Sequence, residues 1–241
     1  MQVNNLNKYM LMSLSFNESL NFDVIQGQYQ TDKRVRIENV LSPAVARGVA
    51  ENLTKLSYPN AYVSDGKNFM ISHHDIQAMS TSVRLQFFKT LYSQAAQGVG
   101  FFYGRQELLA GKSSLVNNVL SWLNSAEVLQ QVKLITGNTD IDHASAQATQ
   151  YIPGHFLTRH NDINVIEQRR IAYVLNFSQG WHPDWGGLLQ FYQADGTPKD
   201  AWSPQFNSMA LFDVNHVHAV TYIAPFANAA RYSITGWFKA S

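Results

Sequence analysis

From Ala144 to the C-terminus the chain is cut into short runs of Val, Ile, Tyr, Phe and Leu, separated by Gly, Pro, Asn and Asp roughly every eight to twelve residues. That is the rhythm of an all-β barrel or double sheet, and it leaves little room for long helices. Strands are expected near 145–152, 155–160, 169–177, 187–193, 208–213, 216–223 and 230–238. Residues 1–140 read differently. Ser42-Pro43 offers an N-cap followed by a proline at the first helical position, and Ala44, Val45, Val49, Leu53 and Leu56 continue as an apolar stripe to about residue 56. A second helix is expected over 76–97, with Met79, Val83, Phe87, Leu91 and Ala95 on one side. Further helices follow over 113–123 and 126–135, ending at Gly137.

The expected architecture is α+β: a double-stranded β-helix, jelly-roll and cupin-like, supported by N-terminal helices. A single domain is expected, with a mainly helical support region over 1–140 and the double-stranded β-helix core over 141–241. Residues 1–32 are polar and suggest an irregular leader or a short strand, while Val35 and Ile37 alternate as in a strand. A short strand is expected over 99–103. Between the helices, 57–74 is rich in Tyr, Asn, Asp, Gly and Lys and reads as a long loop or irregular hairpin, a candidate lid or substrate loop.

Composition excludes several classes of partner and chemistry. Eighteen basic and seventeen acidic residues give a formal charge of +1 without a run of like charge, so no electrostatic footprint for direct nucleic-acid binding is present. Cysteine is absent, which rules out disulfides and leaves His, Asp, Glu and water as metal ligands. The one apolar run near the N-terminus, Tyr9-Met10-Leu11-Met12, lacks the flanks of a signal peptide, and no segment approaches the roughly 20 apolar residues of a membrane span. A cytoplasmic protein without membrane association, monomeric or homodimeric, is expected.

Within the β-rich half, His160-Asn161-Asp162 is followed by His218 and then Arg231. Alternate residues of a strand share a face, so His160 and Asp162 are expected to address one ion from adjacent rungs. Two imidazoles and a carboxylate make the facial triad of non-heme Fe(II) oxygenases, with open positions beside them. Arg231 lies on an otherwise apolar strand with Tyr232, Ile234, Trp237 and Phe238, so its guanidinium is expected to be buried and to need an anion. Its planar fork suits one carboxylate of a dicarboxylic co-substrate. The combination points to Fe(II)- and 2-oxoglutarate-dependent hydroxylation.

A longer pattern surrounds these residues. Tyr151-Ile-Pro-Gly154, Leu157 and His160-x-Asp162 are followed by Arg170 to Asn176, Trp181, Gly186-Gly187-x-Leu189, Phe212, His218-x-Val220 and Arg231-x-Ser233-x-x-Gly236-Trp237-Phe238. From about residue 130 onward the chain resembles the prolyl 4-hydroxylase-like 2-oxoglutarate oxygenases. It is most similar to the branch that hydroxylates ribosomal-protein prolines, with the second, non-catalytic barrel of the fungal members not expected at this length. The resemblance implies Fe(II) held by His160, Asp162 and His218, with 2-oxoglutarate and O2 as co-substrates and ascorbate as a possible reductant. It implies that Arg231 binds the 2-oxoglutarate C5 carboxylate and Tyr151 assists it. The related halogenases replace the carboxylate with a small residue, so Asp162 favours hydroxylation.

Several positions stay open at this level. The pattern of the resembled family places Val two residues after the distal ligand, which implies His218 with Val220 and leaves His216 behind the ligands or at the rim. Tyr151 is either a co-substrate contact or a core aromatic. Ser233 either adds its hydroxyl to the same carboxylate or faces the core. Tyr173 and Asn176 lie on opposite faces of one strand, so at most one is expected to line the pocket. The expected partner is a protein or peptide with a target proline, with Tyr58, Tyr62 and Phe69 as candidate contacts. Alternatives are a free amino acid or other metabolite, or a non-catalytic metal-binding cupin-like module.

Overall fold

The computed structural model describes residues 13–112 and 114–241; the Tyr9–Met12 run and Ser113 lie outside the described residues. The elements are, in order, helix α1 (Phe22–Asp32), strand β1 (Arg34–Glu38), α2 (Pro43–Leu53), β2 (Asn60–Ser64), β3 (Lys67–Ile71), α3 (His73–Ala78), α4 (Thr81–Ala96), β4 (Phe101–Glu107), α5 (Leu115–Leu123) and α6 (Ala126–Thr136). Then come β5 (His143–Tyr151), β6 (Phe156–His160), β7 (Arg169–Asn176), a 3-10 turn (Pro183–Trp185), β8 (Leu189–Tyr192), β9 (Pro198–Trp202), β10 (Ser208–Asp213), β11 (His218–Val220) and β12 (Arg231–Lys239).

Local chemistry explains most helix ends. Asn21, Ser72, Ser80, Ser114 and Ser125 each accept a backbone N–H of the helix that follows, satisfying donors that have no partner inside the helix. Ser80 has a consequence for the expected helix over 76–97. Its cap starts a new helix, so the segment divides into α3 and α4 at Met79. Ser42 occupies the N-cap of α2 without a side-chain cap bond, and Pro43 sets the helix start. That helix stops at Leu53, short of Leu56, and α6 ends at Gly137 with φ +79°.

All strand pairings are antiparallel, in the order β1-β10-β7-β12-β5-β4-β6-β11-β8-β9, with the β2–β3 hairpin attached through β4. This is the curled double-stranded β-helix expected from the rhythm of the second half. Parity along β7 separates the two sides. Ile171, Tyr173 and Leu175 join a large core shared with α1, α2, α5 and α6, whereas Ala172 and Val174 pack inside the curl with Leu189, Phe191, Ala210 and Phe212. Burying each such large apolar side chain contributes about 1.5–3 kcal/mol, so the helices stabilise the outer face while the inner face shapes a cavity.

The sheet also departs from the expected division at residue 140. β1 pairs with β10, and β4 inserts between β5 and β6, so strands from the first half complete the curl. The stretch 57–74, expected as a long loop or irregular hairpin, is mostly the β2–β3 hairpin. Its turn is Asp65-Gly66, both at positive φ (49° and 72°), the backbone that a tight hairpin turn demands. The leader expected before residue 32 contains α1, and β9 is an additional, largely exposed edge strand.

Candidate metal and co-substrate site

His160 is the last residue of β6 and pairs directly with His218, the first residue of β11. Asp162 lies beyond the end of β6, and its backbone N–H donates to the Val214 carbonyl at 3.0 Å. The carboxylate therefore reaches the two histidines from an irregular segment tied to the β10–β11 connection, and not from an adjacent rung of one strand as the spacing suggested. The outcome is nevertheless convergent. Asp162 Oδ1 is 3.6 Å from His160 Nε2, Asp162 Oδ2 is 3.5 Å from His218 Nε2, and one ligand atom from each residue falls within 4.8 Å of the others.

The imidazoles are held in the form a metal requires. His160 Nδ1 donates to the Thr158 carbonyl and His218 Nδ1 to the His216 carbonyl, each at 2.9 Å, which leaves both Nε2 lone pairs facing Asp162. Burial first, and then the neighbouring His160, push the His218 pKa down to about 4 against the opposing pull of Asp162. His218 is thus a neutral imidazole near pH 7. Phe212 meets its ring edge-on with centroids 4.8 Å apart. His216 points elsewhere: its Nε2 lies 2.8 Å from the carbonyl of Asp32, so it ties the ligand strand to the end of α1.

A cavity of about 450 Å³ opens beside the triad, within the range of small-ligand sites. Arg231 is only 2% exposed and borders it. Its Nε has no hydrogen-bond partner, its Nη2 makes a single long bond of 3.4 Å to Asn176 Oδ1, and among the described residues it forms no ion pair. The guanidinium instead sits over the Tyr151 ring, 5.2 Å from its centroid. Burial pulls the Arg231 pKa below the ordinary arginine value. A buried, underpartnered cation aimed into a cavity fits a carboxylate ligand, and three convergent ligand atoms on one side fit a divalent metal.

Tyr151 lines the cavity and stacks on Tyr103, centroids 4.9 Å apart with planes 6° from parallel. The Tyr103 wall escaped the sequence reading, because only the register of β4 against β5 brings it there. Ser233 is fully buried and is bonded at 2.7 Å to the hydroxyl of Thr149, the residue paired with it on β5. Thr149 is the one of the two that borders the cavity. Asn176 contacts Arg231. Tyr173 is at the cavity's edge but spends its hydroxyl on the Ser145 carbonyl at 2.8 Å.

The inside of the Arg231 strand is also sterically fixed. A Cβ on Gly187, which has φ +65°, would meet Ile223 at 2.5 Å and Arg231 Cδ at 3.2 Å. Trp181 closes the same corner, its Nε1 donating to the Gly186 carbonyl at 2.9 Å. This accounts for the Gly186-Gly187 pair without appeal to flexibility. Tyr62 and Phe69 stack within the hairpin, 5.5 Å between centroids, and Tyr58 packs in the helix-side core.

The curled double sheet thus brings a His, Asp, His set of ligand atoms together beside its cavity. Comparison with known families agrees. Residues 146–239 match the model of the 2OG-Fe(II) oxygenase superfamily. The superfamily's cofactors are Fe(II), 2-oxoglutarate and O2, and the ligand set here accommodates them. Prolyl 3-hydroxylase OGFOD1 of Mus musculus is 35% identical over 80 residues, a match that covers 30% of this chain and 14% of that protein. Among solved structures, a Pseudomonas putida prolyl-4-hydroxylase aligns with TM-score 0.64 at 17% identity, covering 92% of this chain and 100% of that one. A Trichoplax adhaerens prolyl hydroxylase, in complex with a peptide fragment of the hypoxia inducible factor oxygen degradation domain, gives TM-score 0.64 at 17% identity over 100% of this chain and 94% of that chain. These two share the fold.

Proposed function

We propose that the chain is an Fe(II)- and 2-oxoglutarate-dependent dioxygenase that hydroxylates a prolyl residue of a protein or peptide. The observation that carries the reading is Arg231: a buried guanidinium without an anionic partner among the described residues, at the wall of a cavity that also contains the triad. A metal-binding module without turnover has no need of such a cation. The relatives named as prolyl hydroxylases supply the substrate class.

In this reading His160, Asp162 and His218 hold the metal, and Arg231 holds the C5 carboxylate of 2-oxoglutarate. When bound, Fe(II) with 2-oxoglutarate and dioxygen supplies the oxidant for an unactivated C–H bond, with 2-oxoglutarate decarboxylated to succinate. The protein contributes order and exclusion. The carbonyls of Thr158 and His216 fix both imidazole tautomers, so ligation needs no proton shift. Tyr151 and Tyr103 form a flat wall beside Arg231, and Thr149 offers a hydroxyl on the same inner face. Leu189, Phe212 and Val220 make the lining near the triad apolar, which limits water there.

The test is anaerobic addition of Fe(II) and 2-oxoglutarate to the full chain, followed by visible spectroscopy. The expected result is a weak charge-transfer band that requires both additions and is lost in Asp162→Ala. A protein that binds Fe(II) but develops no band with saturating 2-oxoglutarate contradicts the assignment.

A further inference from the structure

The charges around the cavity leave a surplus at its mouth. Asp162 is the one carboxylate among the described residues that line it, against Arg105, Arg159, Arg169 and Arg231. A divalent metal and a dicarboxylate would balance Asp162 and Arg231 together. Arg169 is paired with Glu167 at 2.8 Å, a carboxylate it shares with Lys239, and lies over the Trp237 ring. Arg105 and Arg159 remain. Arg105 extends from β4 on the same face as Tyr103, opposite Thr149, and is half-buried. Glu107, the next residue on that face, forms no ion pair with it among the described residues. Arg159 precedes the ligand His160 and has only uncharged partners, the Gly196 carbonyl at 3.4 Å and the Tyr192 ring at 5.5 Å.

A half-buried arginine beside a reaction cavity binds a carboxylate far better than a neutral group, because the pair is charge-assisted and partly shielded from water. We infer that the substrate carries a carboxylate close to the carbon that is hydroxylated, and that Arg105 receives it while Arg159 strengthens the positive field at the rim. The inference rests on the hydroxylase reading above and narrows it. The carboxylate has two possible sources, an Asp or Glu side chain beside the target proline in a peptide, or the α-carboxylate of a terminal or free proline.

The test uses the full chain loaded with Zn(II) and 2-oxoglutarate under nitrogen, and titration calorimetry with five probes. Three are acetyl-Ala-Ala-Pro-Xaa-Ala-amide with Xaa as Glu, Ala or Lys; two are N-acetylproline and N-acetylproline amide. The expected result is that a carboxylate probe binds on the order of tenfold to a hundredfold tighter than its neutral counterpart. Preference for the Glu peptide identifies a side-chain carboxylate, and preference for N-acetylproline identifies an α-carboxylate. Arg105→Gln should erase the preference, Arg105→Lys should keep most of it, and both should bind 2-oxoglutarate as the parent does. Equal binding of charged and neutral probes, no binding of any probe, or a preference that survives in Arg105→Gln overturns the inference while leaving the hydroxylase reading intact. Weakened 2-oxoglutarate binding in Arg105→Gln places Arg105 in the co-substrate site and also overturns it. A parent protein that fails to bind 2-oxoglutarate in the presence of metal overturns both readings.

Discussion

Replacing Arg231 with methionine separates a structural arginine from one that awaits a ligand. A buried arginine that completes an ion pair stabilises its surroundings, and truncating it typically costs about 3–5 kcal/mol because the partner charge is stranded. Among the described residues Arg231 has no such partner. Its Nε is unbonded, Nη2 has one 3.4 Å bond to a neutral amide, and only the face of Tyr151 offsets its desolvation. Those contacts together amount to about 1–2 kcal/mol, comparable to or smaller than the penalty of holding the charge out of water. Arg231→Met keeps most of the side-chain volume, so in the absence of 2-oxoglutarate its unfolding free energy should lie within about 1 kcal/mol of the parent, or above it. Ligand response should differ sharply. With metal present and 2-oxoglutarate at a hundred times its Kd, the parent gains about 2.7 kcal/mol. The variant should gain almost nothing over the same concentrations while binding metal unchanged. Urea unfolding with Zn(II), with and without 2-oxoglutarate, reads both quantities. A variant that loses 3–5 kcal/mol on its own yet keeps the full 2-oxoglutarate response would refute the reasoning, since Arg231 would then be a structural cation.

Three further outcomes follow from neighbouring geometry. Gly187→Ala pushes on Arg231 Cδ and Ile223 from a positive-φ backbone, so calorimetry should show 2-oxoglutarate binding weakened at least tenfold with metal affinity retained. Asp162→Ala should lower metal affinity by more than the roughly 10–100-fold typical of losing an outer partner, measured by competition with a chromophoric chelator. His155 is buried against Phe102, and burial first, with His73 adding to it, holds its pKa down to about 4. Its unfolded value is near 6.5, so the unfolded chain takes up the proton first as pH falls. This group's contribution is therefore fully present above about pH 6.5, is lost progressively down to about pH 4, and totals on the order of 3 kcal/mol. His155→Gln should flatten the acid limb of the stability profile by about that amount.

The residues that were legible in the sequence are those whose neighbours lie close along the chain. His160 and Asp162 could be paired by their spacing, although the structure places Asp162 past the strand end, on an irregular segment fixed by Val214. The rhythm of the second half marked the strands from β5 to β12, except β9, whose polar, exposed residues lack the alternation of a half-buried strand. Other features depend on tertiary register and carry no local signal. Tyr103 meets Tyr151, and Thr149 meets Ser233, only because β4, β5 and β12 align as they do. Helix α1 was missed because it buries only Ile25 and Tyr29 on an otherwise polar surface. The hairpin did have a local signal. Asp65-Gly66 is a strong turn dipeptide, but the exposed Lys67, Asn68, Phe69 and Met70 of β3 masked the alternation beside it.

The central assignment is metal-dependent oxidative decarboxylation, and the direct measurement is succinate formed from 2-oxoglutarate in oxygenated buffer with Fe(II), compared between the parent and Asp162→Ala. Succinate that accumulates in step with oxygen consumption in the parent, requires Fe(II), and disappears in the variant is the expected result. Metal-loaded parent protein that binds 2-oxoglutarate but forms no more succinate than the Asp162→Ala variant contradicts the assignment and leaves a binding module in its place.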